Sequence, residues 1–179
     1  PMSDPASSDD VVHVPSRGFV ESTNVYEFMR TYDIDDYDEL VDRTTGDVDW
    51  FWDEVVDYLG VEFYESYDAV RDDADGPQFS RWYPGGRLNV AHNVLDRHAA
   101  VDAANRNRVA CLWEGEPGDV RELTYHDLHR QANRVANALV DRGVEAGDRV
   151  ALYMPMVPEV ASILYGCFKV GAVAVPVFS

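Results

Sequence analysis

Apolar residues change their spacing part way along the chain. Between residues 24 and 59 they recur every three or four positions, which predicts amphipathic helices. Asn24 with Glu27 gives an Asn-x-x-Glu start to a short helix over 24–32. A second helical piece includes Tyr37 to Arg43. Asp49 is positioned to cap a helix over 50–59 that Gly60 stops, with Trp52, Val55, Val56 and Leu59 on one face. The successive rings Trp50, Phe51 and Trp52 need a partner surface, because exposure would leave a large apolar area in water. Core packing explains them better than a cofactor box. Residues 1–21 are polar, acidic and aperiodic, and read as a disordered leader.

Asp72 to Pro77, DDADGP, reads as a linker into the stretch that organises the chain, Arg81 to His98. There Pro84-Gly85-Gly86 forms a turn, and Trp82 and Tyr83 are expected as core plugs. Asn89 caps a helix that places Val90, Val94 and Leu95 on one face and closes at His98 and Ala99. The period then shortens. Arg108 to Glu114 and Val120 to Leu123 are strands joined by a five-residue turn, a hairpin. Thr124, with Asp127 at N3, caps a helix whose stripe is Leu128, Ala132, Val135, Leu139 and Val140, ended by Gly143. Arg149 to Met154 is a strand, Glu159 to Val170 a helix bracketed by Pro155 and Pro158, and Ala172 to Phe178 a strand after Gly171. Strand, helix, strand in this length predicts a right-handed parallel crossover. The last strand is apolar on both faces, so its sheet is expected to be incomplete within these residues. The fold class is α/β: a helical N-terminal cap over 22–100, then the first part of a mixed or parallel sheet domain over 101–179.

Charge sharpens the division. The net charge of −18 lies entirely in residues 1–75, where 22 acids face four arginines; residues 76–179 balance at 11 against 11. Nucleic acid and anionic membrane are excluded as partners, since both demand cationic contacts. Asp outnumbers Glu by 22 to 11, and Lys169 is the only lysine beside fourteen arginines. Asp carries its charge on a short stem whereas Lys exposes a long apolar one, which suits a high-salt, halophilic cytoplasm that screens self-repulsion. Cys111 and Cys167 lack CxxC spacing and are expected as buried hydrophobes in a reducing, cytoplasmic setting. The N-terminus has neither the positive nor the apolar region of a secretory signal. The apolar run from Val160 to Phe178 carries Lys169 at its middle and Pro176 near its end, which fits a helix and a buried strand rather than a membrane span.

The familiar chemistries fail on spacing. Gly166-x4-Gly171 continues into Ala172-Val173, where a P-loop needs Lys and a hydroxyl. His126 and His129 lie three apart but lack a third metal ligand and read as surface histidines. Asp33, Asp35, Asp36 and Asp38 lack the Gly and Glu of a calcium loop. Asp96, Arg97 and His98 point in different directions from a helix and so do not converge on one substrate; Asp96 and Arg97 are expected to make structural ion pairs that hold the lead-in against the sheet.

Gly85, Gly86, Leu88, Asn89, Asn93, Leu95, Asp96, Arg97 and His98 together form a signature that resembles the opening of acetyl-CoA-synthetase-type AMP-forming acyl-CoA synthetases. WEGE at 113–116, LTYHDL at 123–128, GDRVALYMPMVPE at 147–159 and VGAV at 170–173 follow in the family's order. The resemblance covers roughly Asn24 to Phe178 and only the beginning of such an enzyme. It implies ATP, CoA and magnesium as cofactors of the full-length family, with a small carboxylate as substrate, and none of them bound by this segment alone. The family's phosphate loop, pockets, hinge and catalytic lysine come later in sequence, so no residue here is assigned as catalytic, cofactor-binding or metal-ligating. Lys169 is not the family's lysine. GAVAVPVFS from Gly171 departs from the acetyl-type GAVHSVVFGG, with Ala174, Val175, Pro176 and Ser179 at the differing positions, which leaves the acyl group open. The expected product is an inactive N-terminal portion that associates with the missing remainder or a homologue. The rivals are a stand-alone interaction module and a fragment with no function of its own.

Overall fold

The protein is described by a computed structural model over residues 13–101 and 104–177, and these divide into two units between Val61 and Glu62. The first unit is helical: α1 (Arg17–Glu21), α2 (Asn24–Thr31), α3 (Tyr37–Gly46) and α4 (Val48–Tyr58). Polar side chains set each start. Ser16, Thr23, Asp36 and Asp47 accept from backbone N–H groups three residues on. Two expected caps move by this rule. Thr23, not Asn24, caps α2, and Asp47, not Asp49, caps α4, serving also as the C-cap of α3. Residues 17–21, expected within a disordered leader, form a short helix that Ser16 caps and an Arg17–Glu21 pair at 2.7 Å spans; residues 1–12 of that leader lie outside the described residues.

Phe28, Met29, Ile34 and Leu40 make the core of this unit, with Tyr32, Trp50, Phe51, Val55 and Tyr58 against it. The Phe28 ring lies 4.5 Å from Tyr32, 5.4 Å from Tyr58 and 5.9 Å from Phe51, centroid to centroid. The buried face of α4 is therefore rotated from the expected one. Val56 is buried, but Trp52 and Leu59 are exposed, because the rings of Trp50 and Phe51 turn toward Phe28 instead.

In the second unit, β1 (Arg71–Asp72) pairs antiparallel with β2 (Arg81–Trp82), so the expected linker over 72–77 is the tip of a hairpin. Trp82, expected in the core, is 45% exposed and lies under the Arg71 guanidinium. In the turn that follows, Gly86 N–H donates to Tyr83 at 3.0 Å, and Gly85 takes φ +82°, which a glycine adopts without strain. The helix after Asn89 is wound as a π-helix over His92–Val101, past its expected end. Its buried face is Ala91, Leu95 and Ala99, while Val90 and Val94 are exposed.

The rest follows the sequence closely. β3 (Val109–Glu114) and β4 (Val120–Thr124) form the expected antiparallel hairpin, with an irregularity between Val109 and Cys111. Thr124 and Asp127 form a reciprocal capping box on α5 (Tyr125–Val140). Along its stripe Leu128 and Ala132 are buried, but Val140 is exposed in the last turn. β5 (Arg149–Tyr153), α6 (Glu159–Val170) and β6 (Val173–Val177) make the strand–helix–strand unit, and the two strands are parallel. Gly166 lets α6 pass close to α5: a Cβ there would stand 2.5 Å from Val135 Cγ1 and 3.2 Å from the Ala132 carbonyl oxygen. No described helix is long and apolar enough to cross a membrane.

Candidate functional site

The densest polar arrangement joins the π-helix to α5 and α6. Asp96 on the π-helix receives Lys169 Nζ from the last turn of α6 and His129 Nδ1 from α5, the latter at 2.8 Å, both on the same oxygen Oδ1. The Lys169 side chain is 12% exposed and that of Asp96 26%, so neither charge rests comfortably without the other. Asn133, one turn along α5, lies 2.9 Å from His129 Nε2. With its amide donating there, the imidazole carries its proton on Nδ1 and gives it to Asp96. One carboxylate thus fixes a helix end, a ring tautomer and the line of the π-helix.

The two ends of the organising stretch are held by asparagines. Asn89 accepts from Ala91 N–H at 2.9 Å and donates to the Phe168 carbonyl at 2.7 Å, tying the helix start to α6. Asn93 accepts from Glu62 N–H at 2.8 Å and donates to the Glu62 carbonyl at 2.9 Å, as a neighbouring strand would. His92 meets the Glu62 carboxylate at 2.5 Å and holds its pKa below the ordinary value. Farther along, Arg121 pairs with Glu159 at 2.7 Å, and Trp113 Nε1 donates to the Met156 carbonyl at 2.7 Å. The WEGE stretch is thereby joined to MPMVPE through the Trp113 indole, and β4 through the Arg121 ion pair.

These groups hold elements together; none is set beside an activated nucleophile. Asp96 behaves as the expected structural ion pair, though its partners are Lys169 and His129. Arg97 reaches Asn93 Oδ1 at 3.3 Å. His98 stacks near Tyr125, 5.2 Å between centroids, so the trio diverges. His126 faces Arg106 Nη2 at 2.9 Å from Nδ1, and His129 is part-buried, so neither is the plain surface histidine expected. Asp36 is a helix cap and the Asp35 N–H donates to Glu39, not to a ligand site. No group of three or more His, Cys, Asp or Glu among the described residues is arranged to hold a metal ion. Cys111 and Cys167 are free thiols, and burial pushes the Cys167 thiol pKa up.

A cavity of about 200 Å³ beside Asn89 is lined by Leu88, Val90, Phe168, Gly171 and Ala172. In the first unit one of about 300 Å³ is lined by Tyr26, Met29, Arg30, Asp33, Ile34 and Asp35. The site that sequence reasoning missed is the Asp96–Lys169–His129 node. Its signal was present: a lone lysine in the middle of an apolar run requires a counter-charge from another element.

Residues 37–94 match the family of the acetyl-coenzyme A synthetase N-terminus, and residues 95–179 match the AMP-binding enzyme family. The acetyl-coenzyme A synthetase of Methanothrix thermoacetophila is 35% identical over 161 residues, 89% of this chain and 24% of that protein. The acetyl-coenzyme A synthetase of Streptomyces coelicolor is 49% identical over 106 residues, 59% of this chain and 16% of that protein. The solved acetoacetyl-CoA synthetase of Streptomyces lividans superposes with a TM-score of 0.82 at 25% identity, over 92% of this chain and 26% of that one. The chain therefore spans about a quarter or less of the length of these relatives.

Proposed function

We propose that this chain, which belongs to the adenylate-forming acyl-CoA synthetases and corresponds to their N-terminal portion, acts as the cap and first sheet layer of a ligase. The complete enzyme would convert a carboxylate, ATP and CoA into acyl-CoA, AMP and pyrophosphate, with magnesium on the phosphates. Acetate is the first carboxylate to test, in view of the relatives' names. The segment by itself is inactive. The observation that carries this reading is the β5–β6 pair, which α6 covers on one face while the other stays open. A parallel pair is normally covered on both faces, yet Val173, Val175 and Val177 are 39–48% exposed. The node at Asp96 supports the same reading, because it braces elements without offering a reacting group.

Acyl-CoA formation from acetate, ATP and CoA by the purified chain would overturn the assignment of inactivity. An antibody against residues 22–100 provides the companion test on native cell extract. A band several times larger than 20.2 kDa is expected. A band only at 20.2 kDa would favour the second reading, a stand-alone interaction module that binds a partner through its acidic helical part. The acidic, lysine-poor composition supports a cytoplasm rich in salt. The melting temperature should then rise with KCl, and a fold equally stable at low salt would remove that part of the proposal.

A further inference from the structure

The helical first unit leaves a groove between α2 and α4 that is open among the described residues. It holds about 210 Å³ and is lined by Val25 and Phe28 from α2, Leu40 from α3, and Phe51, Val55 and Leu59 along and just past α4. Phe28, Leu40, Phe51 and Val55 belong to the core of the unit and form the floor. Val25 and Leu59 stand at the rim, 49% and 54% exposed. Trp52 continues the apolar surface outward, its ring 5.3 Å from that of Phe51 between centroids. An apolar groove between two helices, with a rim that is itself apolar, has the form that receives one face of a third helix.

The surroundings say which kind of helix fits. Residues 13–61 hold 13 acids against three arginines. Each arginine is engaged away from the groove: Arg17 pairs with Glu21, Arg30 lines the separate cavity beside Asp33, and Arg43 lies over Trp50. Glu27 stands at the groove itself, accepting from the hydroxyl of Tyr58, another lining residue, at 3.0 Å. Adaptation to salt accounts for acidity in general but not for its confinement, since residues 76–179 balance at 11 against 11. An anionic lipid surface or a second copy of this unit would bring like charge to the rim, whereas a cationic helix brings the opposite charge.

We propose that the groove between α2 and α4 docks a cationic amphipathic helix of a partner protein. Its apolar face lies against Val25, Leu59 and the floor, and its lysines or arginines meet the acidic rim. The proposal stands apart from the synthetase reading, because the groove is complete within residues 24–59.

The test is the fluorescence anisotropy of a labelled helical peptide of leucine and lysine, with leucine at i, i+3, i+4 and i+7, titrated with the native polypeptide purified from its own cells. The peptide should bind, and more weakly in molar than in dilute KCl. The same peptide with glutamate in place of lysine should bind at least about tenfold more weakly. Val25→Gln with Leu59→Gln, made in the same full polypeptide, removes the apolar rim and leaves every charge in place. It should weaken the leucine–lysine peptide by about tenfold or more at an unchanged melting temperature. Leu59→Gln alone is the milder variant and should weaken binding in the same direction. Absence of binding overturns the proposal, as does equal binding of the two peptides or of parent and variants. A parent that self-associates beside a monomeric double variant gives the groove to a second copy and also overturns it.

Discussion

The two units reach a stable core by different means. In the first, the longest helix has 11 residues and the centre is a cluster of rings around Phe28, with Arg43 held 3.8 Å above the Trp50 ring. Large side chains span gaps that short helices cannot close. In the second, α5 and α6 approach until Gly166 meets Ala132 and Val135, and polar pins such as Asp96 fix their angle. Aromatic bulk tolerates imprecise helix placement, whereas close backbone approach does not. The charge follows the same division: the acidic residues crowd the region whose core needs no ion pair.

Removing the ring at the centre should break the first unit most completely. Phe28→Ala is expected to cost about 3–5 kcal/mol and to melt residues 13–61 ahead of the rest, visible as a split thermal transition. A single unchanged transition would show that the ring cluster is not that unit's keystone. In the second unit, Asp96→Asn leaves the part-buried Lys169 without its counter-charge and should cost about 2–3 kcal/mol, read by chemical denaturation. The double variant with Lys169→Met should recover much of that loss. Gly166→Ala pushes α6 from α5 and should cost about 1–3 kcal/mol, whereas Gly46→Ala, with open space around it in the first unit, should not. Asp47→Ala removes the cap of α4 and should cost about 1 kcal/mol, read as a lower melting temperature.

The smallest contrast is in pH. Burial, reinforced by Glu54, pushes the Tyr32 pKa up to about 12 from 10.0. That contribution to the first unit is complete below about 10 and is lost as pH rises toward about 12. Hydrogen bonds from Thr124 hold Asp127 low, and Arg121 holds Glu159 low. Their contribution to the second unit is present above the ordinary carboxylate range and is lost as pH falls through the lowered values. Tyrosinate absorbance at high pH and fluorescence of Trp113 at low pH would separate the two responses. Coincident loss in both directions would contradict the division.

The sequence made most of the second unit legible because its signals are local. The Thr124–Asp127 box, Gly171 and the Glu159–Val170 helix need only neighbours in the chain, and they stand where the pattern puts them. The failures are of two kinds, a cap shifted by a near neighbour and a choice made by a distant partner. Asp47 and Thr23 displace Asp49 and Asn24 because a residue one or two places earlier captures the free N–H groups. The face of α4 turns because Phe28, more than twenty residues away, attracts Trp50 and Phe51. The π-winding after Asn89 left no mark in the pattern, and a stripe drawn at α-helical spacing selected Val90 and Val94 over Ala91 and Ala99. Of the candidate site, Asp96 was recognised as an ion-pairing residue, but Lys169 and His129, 73 and 33 positions away, became its partners only through the fold.

Asn93 grips Glu62 through its peptide group rather than through its carboxylate. Every amino acid except proline presents that same pair of donor and acceptor. Position 62 is consequently free to drift through almost any side chain without releasing the grip, while position 93 is confined to an amide of that one length. Tolerance at one end of the contact and intolerance at the other should therefore appear together in any saturation library of the two sites.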